Sequence, residues 1–190
     1  MKRSFKIITA PETEPITLAE AKIHAGLHSS VTVLDSTVEG WIKAGRIHAE
    51  GYQHRAYITQ TIELAYDSWW RGEITLPRPP LIAVNSIKYY NYDDLEYELD
   101  SSVYQVSTRS TPGRIKLAPG QSFPSVTLRE MDSVIINYTA GYGAADDIPE
   151  TVKAAINLFV SSQNENRIGE DGELPPAIKN LLQPDRIEDR

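Results

Sequence analysis

Cysteine is absent from all 190 residues of the chain, which excludes disulfides, thiolate metal sites and cysteine nucleophiles and fits a reducing compartment. Long apolar runs are absent too: none approaches the ~20 consecutive apolar residues that cross a bilayer. The start, Met1-Lys2-Arg3-Ser4-Phe5-Lys6-Ile7-Ile8, has a basic flank without the sustained apolar region of a secretion signal. The expectation is a soluble, cytoplasmic chain with no membrane partner. Basic residues are in the minority, 19 Lys and Arg against 26 Asp and Glu, for a formal net charge of −7. General nucleic-acid binding would need a basic face, and Lys and Arg are instead scattered singly. Acid gathers at Asp93-Asp94, Asp146-Asp147, Glu170-Asp171 and Glu188-Asp189, mostly as solvated surface.

Catalytic motifs are missing as well. The sequence carries no Gly-x-Ser-x-Gly elbow, no phosphate-binding glycine loop and no dinucleotide fingerprint. His24 and His28 have the four-residue spacing of a metal pair on a helix. His48, His54 and the carboxylates have no distinctive spacing to that pair, so capping or surface roles are the expectation. Asp93-Asp94 are adjacent acids in a turn, whereas acid–base hydrolysis needs two carboxylates in distinct environments across a pocket. Gly141-Tyr142-Gly143 is too short for a phosphate cradle and reads as a glycine exit from a strand. Trp41, Trp69 and Trp70 read as core or contact residues more simply than as a sugar platform. No catalytic residue, cofactor or metal is assigned, and the expectation is a protein that is not an enzyme.

At this length folding can remove roughly 70% of the unfolded chain's surface, enough for one substantial core or two small ones. Residues up to Pro15 read as an extended arm. Thr17 with Glu20 has capping-box spacing, opening a helix with Leu18, Ala21 and Ala25 on one face. A second helix begins near Asp35 or Ser36, with Val38, Ile42, Gly45, Ala49 and Tyr52 at helical spacing. Gly45 and Ala49 allow close backbone approach, within a bundle or against a neighbouring subunit. From Ile58 the period changes to two: Ile58, Gln60, Ile62, Leu64 and Tyr66 share a face. Pro77, Pro79 and Pro80 then end one strand and lead to the next. Further strands are expected at 74–76, 84–90, 97–99, 103–106, 115–117 and 134–138, with Thr111-Pro112-Gly113 as a type II turn. The path of 118–133 shows no clear period. Asp146 or Asp147 caps a third helix whose face is Val152, Ala155, Ile156, Phe159 and Val160, running to about Asn166. Gly169 to Gly172 breaks it, Pro175-Pro176 opens a last short helix, and a charged tail follows Pro184.

Several spaced segments together resemble the head-to-tail connector (adaptor) proteins of tailed bacteriophages. They are Glu14-Pro15-Ile16-Thr17-Leu18-Ala19-Glu20-Ala21-Lys22, Ala56-Tyr57-Ile58-Thr59-Gln60-Thr61, Leu76-Pro77-Arg78-Pro79-Pro80-Leu81, Pro112-Gly113-Arg114-Ile115, Ala140-Gly141-Tyr142-Gly143, and Ile148-Pro149 to Arg167. The resemblance implies an α+β chain: a helical bundle from N- and C-terminal helices with an inserted, mostly antiparallel β domain. Residues 1–57 would supply the arm and first helices, 58–142 the β domain, and 143–190 the last helices and tail.

It further implies a structural virion protein, made in the host cytoplasm, that forms a ring of about twelve copies on the portal protein by a repeated heterologous contact. The ring would meet a tail-side stopper or tail-completion protein and let DNA pass without sequence-specific binding. For the portal contact the expected residues are Ile178, Leu181 and Leu182 as apolar anchors with Arg186. For contacts between subunits they are Gly45, Ala49, Arg78, Tyr89 and Tyr90. The alternatives are a small hydrolase-like enzyme or a protein-binding module acting one to one.

Overall fold

The computed structural model describes residues 3–165 and 174–188. The chain is α+β, with strands paired antiparallel in two sheets. By contacts it divides into two compact units, residues 1–10 with 59–141, and residues 11–58 with 142–190.

The first unit holds the strands β1 (Arg3–Thr9), β2 (Gln60–Tyr66), β3 (Glu73–Thr75), β4 (Leu81–Tyr90), β5 (Glu96–Glu98), β6 (Tyr104–Ser107), β7 (Arg114–Leu117) and β8 (Val134–Ala140). Five form one sheet in the order β1-β2-β8-β4-β5, and three form another in the order β3-β7-β6. The period-two pattern does in β2 what it predicts: Gln60, Ile62, Leu64 and Tyr66 are buried, and the residues between them only half-buried. Ile62, Leu64 and Tyr66 lie opposite Tyr138, Ile136 and Val134 of β8. Fully burying each aliphatic of such a pair contributes about 1.5–3 kcal/mol.

Two expectations for this unit change. Residues 3–9 of the expected extended arm pair into this unit as strand β1, placing Phe5 opposite Leu64 and Ile7 opposite Ile62. Thr111-Pro112-Gly113 is not a type II turn: the bond before Pro112 is cis, and Gly113 is not among the residues with positive φ. Glycine is needed there for room, since a Cβ at 113 would lie 2.5 Å from Leu81 Cβ. The segment after β7 is tied to the end of β4, with Tyr92 N–H donating to Thr127 at 2.9 Å and Arg129 N–H to Tyr90 at 3.2 Å.

The second unit holds α1 (Leu18–His24), α2 (Asp35–Gln53), α3 (Glu150–Glu165) and α4 (Pro176–Leu182). All four contribute to one apolar core, which includes Ala21, Val38, Ile42, Ala49, Val152, Ile156, Val160, Ile178 and Leu182. The capping box forms as its spacing predicts: Glu20 N–H donates to Thr17 Oγ1 at 3.2 Å, and Thr17 N–H donates to Glu20 Oε2 at 2.7 Å. The Thr17 N–H bond, and after it the bond that the Thr17 hydroxyl donates to Glu20 Oε2 at 2.8 Å, hold the Glu20 carboxyl below its ordinary value.

The start of α3 differs from expectation. Asp146 and Asp147 lie in a separate 3-10 turn, Ala145–Asp147, where the Asp147 carboxylate accepts from Ala144 N–H at 2.9 Å. The first bonds of α3 run instead to the Pro149 carbonyl, from Val152 at 2.9 Å and Lys153 at 3.3 Å. The expected break at Gly169 to Gly172 lies outside the described residues.

Candidate interaction site

The end of α2 carries a buried polar network linking three parts of the helical unit. Arg46, Glu50 and Gln53 follow one another at helical spacing and are all buried. Arg46 grips Glu14 with two bonds, Nε to Oε2 at 2.7 Å and Nη2 to Oε1 at 3.1 Å, and reaches Glu50 at 3.0 Å. Burial works to lower the Arg46 pKa, but the bond to Glu14 and the charge of Glu50 outweigh it, leaving the guanidinium raised. Glu50 also accepts from Tyr57 N–H at 2.9 Å, and Gln53 accepts from the Tyr57 hydroxyl at 2.8 Å. Burial first, then the charge of Glu50, pushes the Tyr57 phenol far up, so it stays a proton donor.

The C-terminal segment is seated on this network. Gln53 Nε2 donates to Leu182 O at 2.6 Å, and Ile187 N–H returns to Gln53 O at 3.0 Å. Arg55 Nε donates to Asp185 O at 2.6 Å, and the Tyr52 hydroxyl donates to Gln183 Oε1 at 2.5 Å. Arg186 stacks its guanidinium over the Tyr52 ring, 4.8 Å from the centroid. Of the residues expected to dock on a portal, Ile178 is 2% and Leu182 0% exposed, both inside the chain's own core, while Leu181 is partly buried against it. Those two apolar anchors are therefore used internally. Arg186 is exposed, as are Pro184 and Asp185.

Gly45 and Ala49 are also internal. A Cβ at 45 would lie 3.0 Å from Phe159 Cδ1 and 3.3 Å from Ile156 Cγ2, and Ala49 is buried in the same core. Their small size lets α3 approach α2, so the place expected for them between subunits gives way to one within the chain.

The β-unit residues separate to the two ends of the five-stranded sheet. Arg78, at φ 59°, places its guanidinium 5.5 Å from the centroid of Phe5 on edge strand β1. Tyr89 and Tyr90 lie opposite Tyr97 and Glu96 of the other edge strand, β5. Tyr89 stacks on Tyr97, with centroids 5.4 Å apart, and meets Trp69 at 5.2 Å; Trp69 stacks on Phe123 at 4.4 Å. The Tyr90 hydroxyl donates to Glu96, and Arg129 covers its ring at 3.9 Å. Lys88 binds the same carboxylate at 2.6 Å. The bonds from Lys88 and then Tyr90 lower the Glu96 pKa.

Chemically these arrangements hold backbone and present surface. His28 Nδ1 pairs with Ser30 Oγ at 2.8 Å, but Ser30 N–H also points to that nitrogen at 3.3 Å, which makes an exposed local turn. His24 ends α1, where its carbonyl accepts from Ser161 Oγ at 3.1 Å. Among the described residues no three His, Cys, Asp or Glu gather where they could hold a metal ion, and no helix is long and apolar enough to cross a membrane. Sequence reasoning missed the Arg46–Glu50–Gln53 row; its signal was polar residues recurring at positions i, i+4 and i+7 beside the apolar stripe.

No known sequence family matches the chain, and no curated protein does. Solved structures do. A chain in the neck of an empty gene transfer agent (GTA) particle, computed with C6 symmetry, has a TM-score of 0.82 at 22% identity, over 98% of this chain and 97% of that one. A chain in the virion of a native gene transfer agent particle has a TM-score of 0.81 at 20% identity, over 98% and 96%. A chain in the neck of a native GTA particle, computed with C12 symmetry, has a TM-score of 0.79 at 21% identity, over 98% and 97%. The α+β fold of this chain is thus shared, nearly end to end, with components of particle necks.

Proposed function

We propose that the chain is a structural head-to-tail connector of a tailed phage, a prophage or a related particle. It forms a ring of about twelve copies on the portal and carries the DNA channel toward a tail-side stopper or tail-completion protein. The observation behind this reading is the near-complete overlap with neck chains, at a TM-score of 0.82 over 98% of the chain. The connector-like motifs, spread from Glu14 to Arg167, support it independently. In this reading the chain works in the virion as an assembly part without catalysis. Its N- and C-terminal helices act as the bundle, and its β unit is the inserted domain.

Portal docking falls to the exposed end of the C-terminal segment, with Arg186 as a charged contact, seated on α2 by the Gln53 network. The net charge of −7 suits a channel wall that repels passing duplex DNA. Negative-stain imaging of the chain mixed with portal protein tests the reading. Annular density added to the portal is the expected result, and portal particles unchanged in outline would contradict it.

A further inference from the structure

The five-stranded sheet ends at both sides in exposed strands whose surfaces complement each other. Every residue of β1 is exposed, and so is every residue of β5. An edge strand with apolar side chains and unpaired backbone groups is a ready template for another strand unless something covers it.

Register fixes which side chains share a face. Phe5 and Ile7 of β1 lie opposite Leu64 and Ile62. The same face continues through Tyr138, Ile136 and Val134 of β8 to Ile87 and Tyr89 of β4, and ends at Tyr97 of β5. Ile62, Leu64, Val134, Ile136 and Ile87 in its interior are buried while its ends are not: Phe5 is 47%, Ile7 43% and Tyr97 42% exposed. The other face carries charge at the same two ends. Lys6 stands on β1 opposite Glu63, and Glu98 stands on β5 opposite Lys88, beside Glu96. On one face the β1 edge carries Phe5 and Ile7 beside Arg3 and the β5 edge carries Tyr97; on the other the β1 edge carries Lys6 and the β5 edge Glu96 and Glu98.

We propose that β1 of one copy docks along the β4–β5 edge of the next, continuing the sheet from subunit to subunit. Charge complementarity selects a second copy as the occupant, because Lys6 meets Glu98 on one face while Phe5 and Ile7 meet Tyr97 on the other. The contact joins two different surfaces, so its repetition gives a ring where the rotation closes, whereas a two-fold pair would set like edges together. Arg78, touching β1, and Tyr89 and Tyr90, touching β5, flank the two halves of this one interface. The inference rests on the ring reading above.

Two charge reversals test it, Lys6→Glu and Glu98→Lys, in the full chain with portal protein present and association read as sedimentation mass. Each reversal alone sets like charges across every contact and is expected to weaken association about tenfold. An equal mixture of the two variants restores opposite charges wherever they alternate, so wild-type mass returns. Urea unfolding of both variants at the wild-type midpoint shows that the fold is intact. Full association of either variant alone overturns the edge contact and leaves the connector reading standing, as does a mixture that fails to recover. A wild-type chain that neither self-associates nor joins the portal overturns both.

Discussion

Gln53 donates its side-chain amide to the main-chain carbonyl of Leu182 at 2.6 Å, across 129 positions of sequence. The same side chain accepts from the Tyr57 hydroxyl, so a single buried residue fixes the end of α2, the chain beyond it and the end of α4. The C-terminal segment is held by the fold before any partner arrives.

Replacing Gln53 with leucine keeps the volume and removes both bonds. Each buried group left unpaired costs roughly 1–3 kcal/mol. The urea midpoint is expected to fall, and limited proteolysis after α3 to accelerate. A variant with wild-type midpoint and digestion rate would show that the network carries no stability.

Arg46→Ala removes the guanidinium that pairs with buried Glu50 and with Glu14. Breaking a buried pair from one side costs about 3–5 kcal/mol. Thermal unfolding should therefore show a larger loss for Arg46→Ala than for alanine at Lys88, whose partner Glu96 is solvent-exposed.

Gly45→Val adds a branched side chain where even a Cβ would crowd Phe159. Overpacking of this kind typically costs 1–3 kcal/mol, measurable by urea unfolding. Unchanged stability would mean that α2 and α3 are not packed closely at this point.

The Glu20 carboxyl titrates below its ordinary 4.5 because Thr17 bonds its charged form. A depressed folded pKa contributes stability that is present above 4.5 and lost as pH falls through the folded value. The stability gap between wild type and Glu20→Gln should be open at neutral pH and close in acid below 4.5. A gap that widened on acidification would reverse the assigned sign.

Arg186→Glu reverses an exposed charge that leans on Tyr52 without entering the core. Its expected effect is weaker portal binding with a stability loss of about 0.5–1 kcal/mol from the exposed cation–π contact, read by co-sedimentation beside thermal unfolding. Undiminished binding would move the docking site elsewhere.

Strong local rules were legible in the sequence. Thr17 and Glu20 announce their helix because the capping box spans four residues, and β2 and β8 announce theirs because burying one face imposes alternation. Strand β1 was missed because Phe5, Ile7 and Ile8 sit at an exposed edge that does not demand strict alternation. The end of α2 was legible as an apolar stripe, but Arg46, Glu50 and Gln53 had partners 32, 7 and 129 residues away, which spacing alone does not reveal.

The candidate docking residues show the same limit. Ile178 and Leu182 form an apolar stripe that looks alike in sequence whether it covers a helix of its own chain or another protein. Only packing distinguishes the two, and it assigns them to the core. Tyr89 and Tyr90 gain meaning from strand order, which sets them beside edge strand β5, and Arg78 from its contact with Phe5 on the other edge strand, β1.

The most direct test of the account is the sedimentation mass of the purified chain, alone and mixed with portal protein. The account predicts that the chain joins the portal in multiple copies, whether it arrives as monomer or ring. A chain that stays monomeric and absent from the portal boundary would contradict it.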